Sequence, residues 1–158
     1  MNTIVICDSQ FGNTERVAQA IANALAEFGE GRAVHVNQTN PAELRDVDLL
    51  VLGSPMQGWK PTLAMLAFLD NIPPGSLSSV NTACFDTRLR WPSFLRGSAA
   101  DWIARKLRDI GAEPLLPPEG FLVKGTEGPL RDGELERAAS WARALREKYE
   151  AQARPVRG

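Results

Sequence analysis

Strand-sized apolar runs and helix-sized periodic segments alternate along the whole chain. Thr3-Ile4-Val5-Ile6-Cys7-Asp8 is a continuous apolar run ending in a polar turn, as expected of a strand buried on both faces. Between Asn13 and Gly29 the residues Val17, Ile21, Leu25 and Phe28 recur at helical spacing, with Gly29 as the stop. Arg32 to Asn37 reads as a shorter strand in which His35 alternates with Val34 and Val36 and so faces solvent. Asn40-Pro41 marks a turn before a second buried strand, Val47 to Gly53. A helix from Thr62 to Asp70, the break Pro73-Pro74-Gly75 and a strand from Val80 to Phe85 follow. Ser98 to Ile110 is a helix with Ile103, Leu107 and Ile110 on one face, closed by Gly111. Glu113 to Val123 is extended but interrupted by Pro117-Pro118. The last helix, Asp132 to Tyr149, turns Leu135, Ala138, Ala142 and Leu145 inward. Five strands alternating with helices predict an α/β fold, a doubly wound parallel sheet with helices on both faces. One domain over residues 1–153 accounts for the pattern, with 154–158 as a frayed tail.

Composition narrows the function. Of 158 residues, 44% are apolar and 23% charged, which suits a globular domain and excludes collagen-like or disordered chains. Eighteen basic and 19 acidic residues leave a net charge of -1, so the basic surplus expected of a nucleic-acid binder is missing. No apolar stretch is long enough to cross a bilayer and no leader-like segment precedes the first strand, so a cytoplasmic protein is expected. With two cysteines and a single histidine, neither a Cys/His zinc site nor a Ser-His-Asp triad is expected.

In such a sheet, ligands bind beyond the carboxyl ends of the strands, where strand order reverses. Three loops therefore matter. Asp8-Ser9-Gln10-Phe11-Gly12-Asn13-Thr14 runs straight into a helix, whose free N–H groups and positive dipole end favour an anion such as a phosphate. Plain helix capping by Asn13 or Thr14 is the competing explanation. Ser54-Pro55-Met56-Gln57-Gly58-Trp59 holds a tryptophan at its tip, which either covers a planar ligand or folds back onto the protein. Asp86-Thr87-Arg88-Leu89-Arg90-Trp91 adds a second tryptophan and cations. Together the loops predict a phosphorylated, flat, aromatic ligand.

The Ser-x-x-Gly-Asn-Thr turn, the Gly-Ser-Pro-x-x-Gly-Trp loop, the strand end Ala83-Cys84-Phe85 and the segment Lys106 to Glu113 resemble flavodoxin, in the right order and over nearly the whole chain. The resemblance implies the strand order 2-1-3-4-5 with FMN at the switch point. It implies that Ser9, Gln10, Gly12, Asn13 and Thr14 hold the FMN phosphate, with Phe11 where a hydroxyl residue is usual. Trp59 would cover one face of the isoalloxazine ring and the loop around Arg90, Trp91 and Pro92 the other. Ser54, Pro55, Met56, Gln57 and Gly58, and Asp86, Thr87 and Arg88, complete the expected cofactor site. Arg88 and Arg90 would raise the potential of a bound flavin by Coulomb attraction. The implied activity is electron transfer between redox partner proteins, by a monomer or weak homodimer. An NAD(P)H-dependent FMN or quinone reductase of the same fold, and a module without cofactor that serves as a binding partner, are the alternatives. A phosphate-accepting receiver domain is excluded, because the middle strand ends Gly53-Ser54 where that chemistry needs an aspartate.

The remaining signals read as packing. Cys7 and Cys84 lie inside buried strands. Trp102 and Trp141 belong to amphipathic helices, and Glu134, Glu136, Arg137, Arg143, Arg146, Glu147, Lys148 and Glu150 form a mixed solvated helix face. The loop Thr126-Glu127-Gly128-Pro129-Leu130 is distinctive, without an assigned role.

Overall fold

The computed structural model describes residues 1–90 and 97–153. The elements run β1 (Asn2–Cys7), α1 (Asn13–Ala26), β2 (Glu30–His35), two short 3-10 turns (Val36–Gln38 and Pro41–Leu44), β3 (Leu49–Pro55), α2 (Leu63–Asp70), β4 (Asn81–Arg88), α3 (Ala99–Ile110), β5 (Glu119–Leu122) and α4 (Glu134–Ala153). All strands are parallel, in the order β2-β1-β3-β4-β5. Strand order thus reverses between β1 and β3, as the resemblance implies.

Strand alternation sorts the core into two layers. On one face Val5, Leu49, Val51, Phe85 and Phe121 meet Val17, Ile21 and Leu25 of α1 and Ala138, Trp141 and Leu145 of α4. On the other, Ile4, Ile6, Leu50, Leu52 and Cys84 meet Met65, Phe68 and Leu69 of α2 and Ile103 and Leu107 of α3. Phe85, Phe121 and Trp141 pack edge to face with centroids 5.8 to 6.2 Å apart. Gly53 makes this possible: a Cβ there would collide with the Phe85 ring.

Local chemistry sets the helix ends. Thr62 Oγ1 accepts the Met65 N–H and Ser98 Oγ accepts the Asp101 N–H, capping α2 and α3. Gly111, at φ 100°, closes α3. α1 stops at Ala26, three residues before the expected Gly29, because the Phe28 N–H turns back to Leu25 O. Gly29, at φ 148°, instead passes close over Met1.

β5 is shorter than the extended run predicts. The chain touches β4 once, where the Leu115 N–H bonds Thr82 O, swings outward over Pro117-Pro118 and rejoins the sheet at Glu119. Its outer edge is sealed by the first turn of α4. Glu134 Oε2 accepts the Leu122 N–H at 2.7 Å, and Arg137 donates to Gly120 O, to Glu119 Oε1 at 2.9 Å and to Glu134. Glu134 and Arg137 are therefore not part of a solvated helix face. An edge strand has unpaired backbone groups facing outward, and these two side chains satisfy them.

Candidate functional site

The segments that leave β1, β3 and β4 enclose a cleft of about 420 Å³ at the carboxyl end of the sheet. Ser9, Gln10, Phe11, Asn13 and Thr14 form its first wall. Gly12, immediately before α1, holds φ 88° and offers no side chain to cap the helix. Ser9 Oγ does that work instead, accepting the N–H groups of Gly12 at 3.1 Å and Glu15 at 3.3 Å. The wall is a helix N-terminus whose donors are served by one movable hydroxyl, which suits an incoming anion. Thr14 is fully buried and shares a 2.8 Å hydrogen bond with Thr87, tying this wall to β4. Phe11 stands 47% exposed at the mouth.

Pro55, Met56, Gln57, Gly58 and Trp59 form the second wall. Gln57 and Lys60 exchange backbone hydrogen bonds of 2.8 and 3.0 Å around a two-residue turn. Gly58 has φ 52° and Trp59 φ 70°, the pairing of positive angles that a type I′ turn requires. A tryptophan in the left-handed region costs about 1 kcal/mol, so the turn holds the Trp59 indole at the cleft against a conformational preference. Gln57 Nε2 donates to Gln10 Oε1 at 2.9 Å, joining the two walls. Lys60 Nζ lies 5.0 Å from the centroid of the Trp102 ring and Arg105 Cζ 5.3 Å from it, so Trp102 anchors the hairpin to α3 in addition to packing. Ser54 is buried behind the cleft, where its Oγ accepts the Thr62 N–H and donates to Pro55 O. It shapes the loop and does not line the cleft.

The third wall is Thr87, Arg88 and Leu89. Asp86 is wholly buried beneath it, accepting from Arg88 Nε at 2.6 Å and from the Ala100 N–H at 2.9 Å. Burial nonetheless pushes its carboxyl above the usual range, against the pull of the Arg88 guanidinium. Asp86 thus fixes Arg88 and the start of α3 from behind, and the Arg88 charge expected to act on a ligand is largely compensated by this carboxylate. Gly120 leaves the room that the Arg88 guanidinium occupies. Arg90 is exposed and outside the lining, while Trp91 and Pro92 lie outside the described residues.

A fourth wall, absent from the expected site, comes from the end of β5. Val123 and Thr126 line the cleft, and Asn13 Nδ2 donates to Glu127 O at 3.2 Å. A Cβ on Gly128 would press into the Asn13 side chain, so the glycine at φ 102° lets the 126–130 loop close on the first wall. The rule that ligands meet strand carboxyl ends applies equally to this last strand, and the distinctive composition of 126–130 was the available signal.

The cysteines take no part. Both are buried, and burial pushes the Cys7 and Cys84 thiols up to about 12. Among the described residues no group of His, Cys, Asp and Glu could hold a metal ion, and no helix is long and apolar enough to cross a membrane.

Comparison with known proteins agrees with this geometry. Rubredoxin oxygen:oxidoreductase from Desulfovibrio gigas superposes with a TM-score of 0.77 at 16% identity, over 98% of this chain and 37% of that one. The present chain thus spans little more than a third of that protein. Flavodoxin 1 from Bacillus cereus superposes at 0.76 with 21% identity, covering 93% of this chain and 98% of the other. A flavodoxin from the domain Archaea gives 0.75 and 23%, with 95% and 99% covered. No curated protein matches the chain in sequence. The sequence model of the flavodoxin family matches residues 5–141. On that match, over most of its length, the chain belongs to the flavodoxin family, whose members bind FMN.

Proposed function

We propose that this chain carries electrons between redox proteins by way of FMN held in the cleft, with the phosphate on the Ser9–Thr14 turn and the isoalloxazine ring against Trp59. The observation that carries the reading is the start of α1, with Gly12 at φ 88° and its N–H groups served only by the Ser9 hydroxyl, facing the type I′ turn that holds Trp59. The donor set fits the cofactor. Backbone N–H groups, the Ser9 hydroxyl and the Asn13 amide suit an anion, while Phe11, Met56, Trp59, Leu89 and Val123 suit a flat ring system. Bound FMN supplies the redox chemistry, and the protein supplies binding, orientation and electrostatics. Ser9 and the first N–H groups of α1 orient the anion, the Trp59 hairpin excludes water from one ring face, and Arg88, pinned by Asp86, lends the cleft floor a compensated cation. Ser54 and Asp86 act as supports behind these groups.

The test is titration of the purified protein with FMN, followed by visible absorption and tryptophan fluorescence. Bound-flavin bands with quenched emission are the expected result. A protein that FMN neither perturbs nor stabilises overturns the reading. Steady-state NADPH oxidation with a quinone acceptor separates a carrier, which shows none, from a reductase of the same fold.

A further inference from the structure

His35 is the single histidine of the chain, and it does not simply face solvent as strand alternation predicts. Its Nε2 lies 3.0 Å from Asp8 Oδ1, while Nδ1 accepts the backbone N–H of Asn37 at 3.2 Å. In this arrangement Nδ1 is the acceptor and Nε2 is the atom that donates to Asp8. The same Asp8 oxygen accepts the Ser9 N–H at 2.9 Å, and Ser9 Oγ in turn accepts from Gly12 and Glu15. A continuous hydrogen-bonded chain therefore runs from His35 through Asp8 into the turn read above as the anion seat.

We propose that His35 is a specificity residue for the phosphate group, taking up a proton from solvent at Nδ1 when a phosphate dianion occupies the Ser9–Thr14 turn. The inference rests on the reading of that turn as the phosphate seat. Asp8 already puts one carboxylate at the root of the turn, and a dianion brings further negative charge to the same place. A charged His35 turns the Asp8 contact into an ion pair and offsets that repulsion. The proton displaces only the N–H of Asn37, an exposed residue that can bond water instead. The surrounding elements carry other charged groups of both signs. α1 contributes the consecutive Glu15 and Arg16, of opposite sign, and β2 itself Glu30 and Arg32. α2 contributes Asp70, which is bound to Lys106. Glu43, in the turn after β2, is engaged by Thr39 and Asn40. A flavin without phosphate brings no such charge and draws no proton.

The experiment compares FMN and riboflavin dissociation constants from about pH 5.5 to about pH 8 in the wild type and in His35→Gln, whose amide keeps a donor for Asp8 but cannot titrate. FMN should bind the wild type about fivefold more tightly, relative to the variant, at the acid end than at the alkaline end. Riboflavin should show no difference in slope. The comparison cancels the protonation of the phosphate itself, which is common to both proteins. A second readout needs no variant: with one histidine, ¹⁵N-labelled imidazole gives a single pair of resonances. These should move from the neutral Nε2–H pattern towards imidazolium when FMN is added at fixed pH near neutrality. Parallel pH profiles, or an FMN complex that keeps the neutral pattern throughout, overturn the assignment of His35 while leaving the cofactor reading intact. Failure of the wild type to bind FMN at any pH overturns the phosphate seat itself.

Discussion

At the scale of single residues, the site depends on side chains that act through their neighbours. Arg88 is held by a buried carboxylate, so removing it does more than remove a cation. Arg88→Gln takes the guanidinium from buried Asp86, leaving the carboxyl the Ala100 N–H and Ser98, and should destabilise the fold by about 3 kcal/mol, measured by urea unfolding. Arg90 is exposed and its charge is not engaged by a carboxylate among the described residues, so Arg90→Gln should leave stability within about 0.5 kcal/mol. In a redox titration of the FMN complex it should lower the potential by a few tens of millivolts. An unchanged potential would remove Arg90 from the electrostatics of the site. Trp59→Ala should weaken FMN and riboflavin alike by about tenfold in a fluorescence titration, since the proposed site sets the indole against the ring and not the phosphate. The sequence announced Trp59 and the Ser9–Thr14 turn because both depend on chemistry local to a loop. It did not announce the Asp8–His35 pair or the burial of Asp86. Those arise where neighbouring strands set distant residues side by side, and alternation along one strand carries no information about that.

At the scale of elements, legibility follows pattern strength. β1 and β3 are near-continuous apolar runs, β4 holds the apolar stretch Ala83-Cys84-Phe85 and extends to Arg88, past the expected end at Phe85, and α1 and α3 carry a clear inward stripe, so their existence could be read directly. β5 could not be bounded, because its four residues include Gly120 and follow two prolines, and only pairing with β4 defines them. The helix starts offer the sharpest test of local control. Ser98→Ala removes the hydroxyl that caps α3 and should cost about 1 kcal/mol in thermal or urea unfolding. The corresponding Ser9→Ala should cost the fold less and FMN affinity more, because its hydroxyl caps α1 only until an anion takes the same donors. If Ser9→Ala left FMN binding unchanged, the exchange of hydroxyl for phosphate would be wrong.

At the scale of the whole molecule, every segment that lines the cleft leaves the sheet at one end, while the two apolar layers are built from the strand interiors. Perturbing the layers and perturbing the cleft should therefore separate. Gly53→Ala drives a methyl group into the Phe85 ring and should destabilise the fold by about 1–3 kcal/mol, in contrast to the small cost expected for Trp59→Ala. Acid also acts globally through the last strand. The Arg137 hydrogen bonds hold the Glu134 carboxyl below the usual glutamate range, so its contribution is complete above the ordinary value and is lost as the pH falls below it. Protonation there weakens the acceptor that holds the Leu122 N–H, and loosens the guanidinium that covers Gly120 O. An unguarded strand margin is a template for another chain, so protonation of Glu134 should open a route to self-association through β5. Light scattering that rises with loss of monomer once the pH falls below the usual glutamate range, and already near neutral pH in Glu134→Ala, would mark that ion pair as the protein's guard against forming fibres.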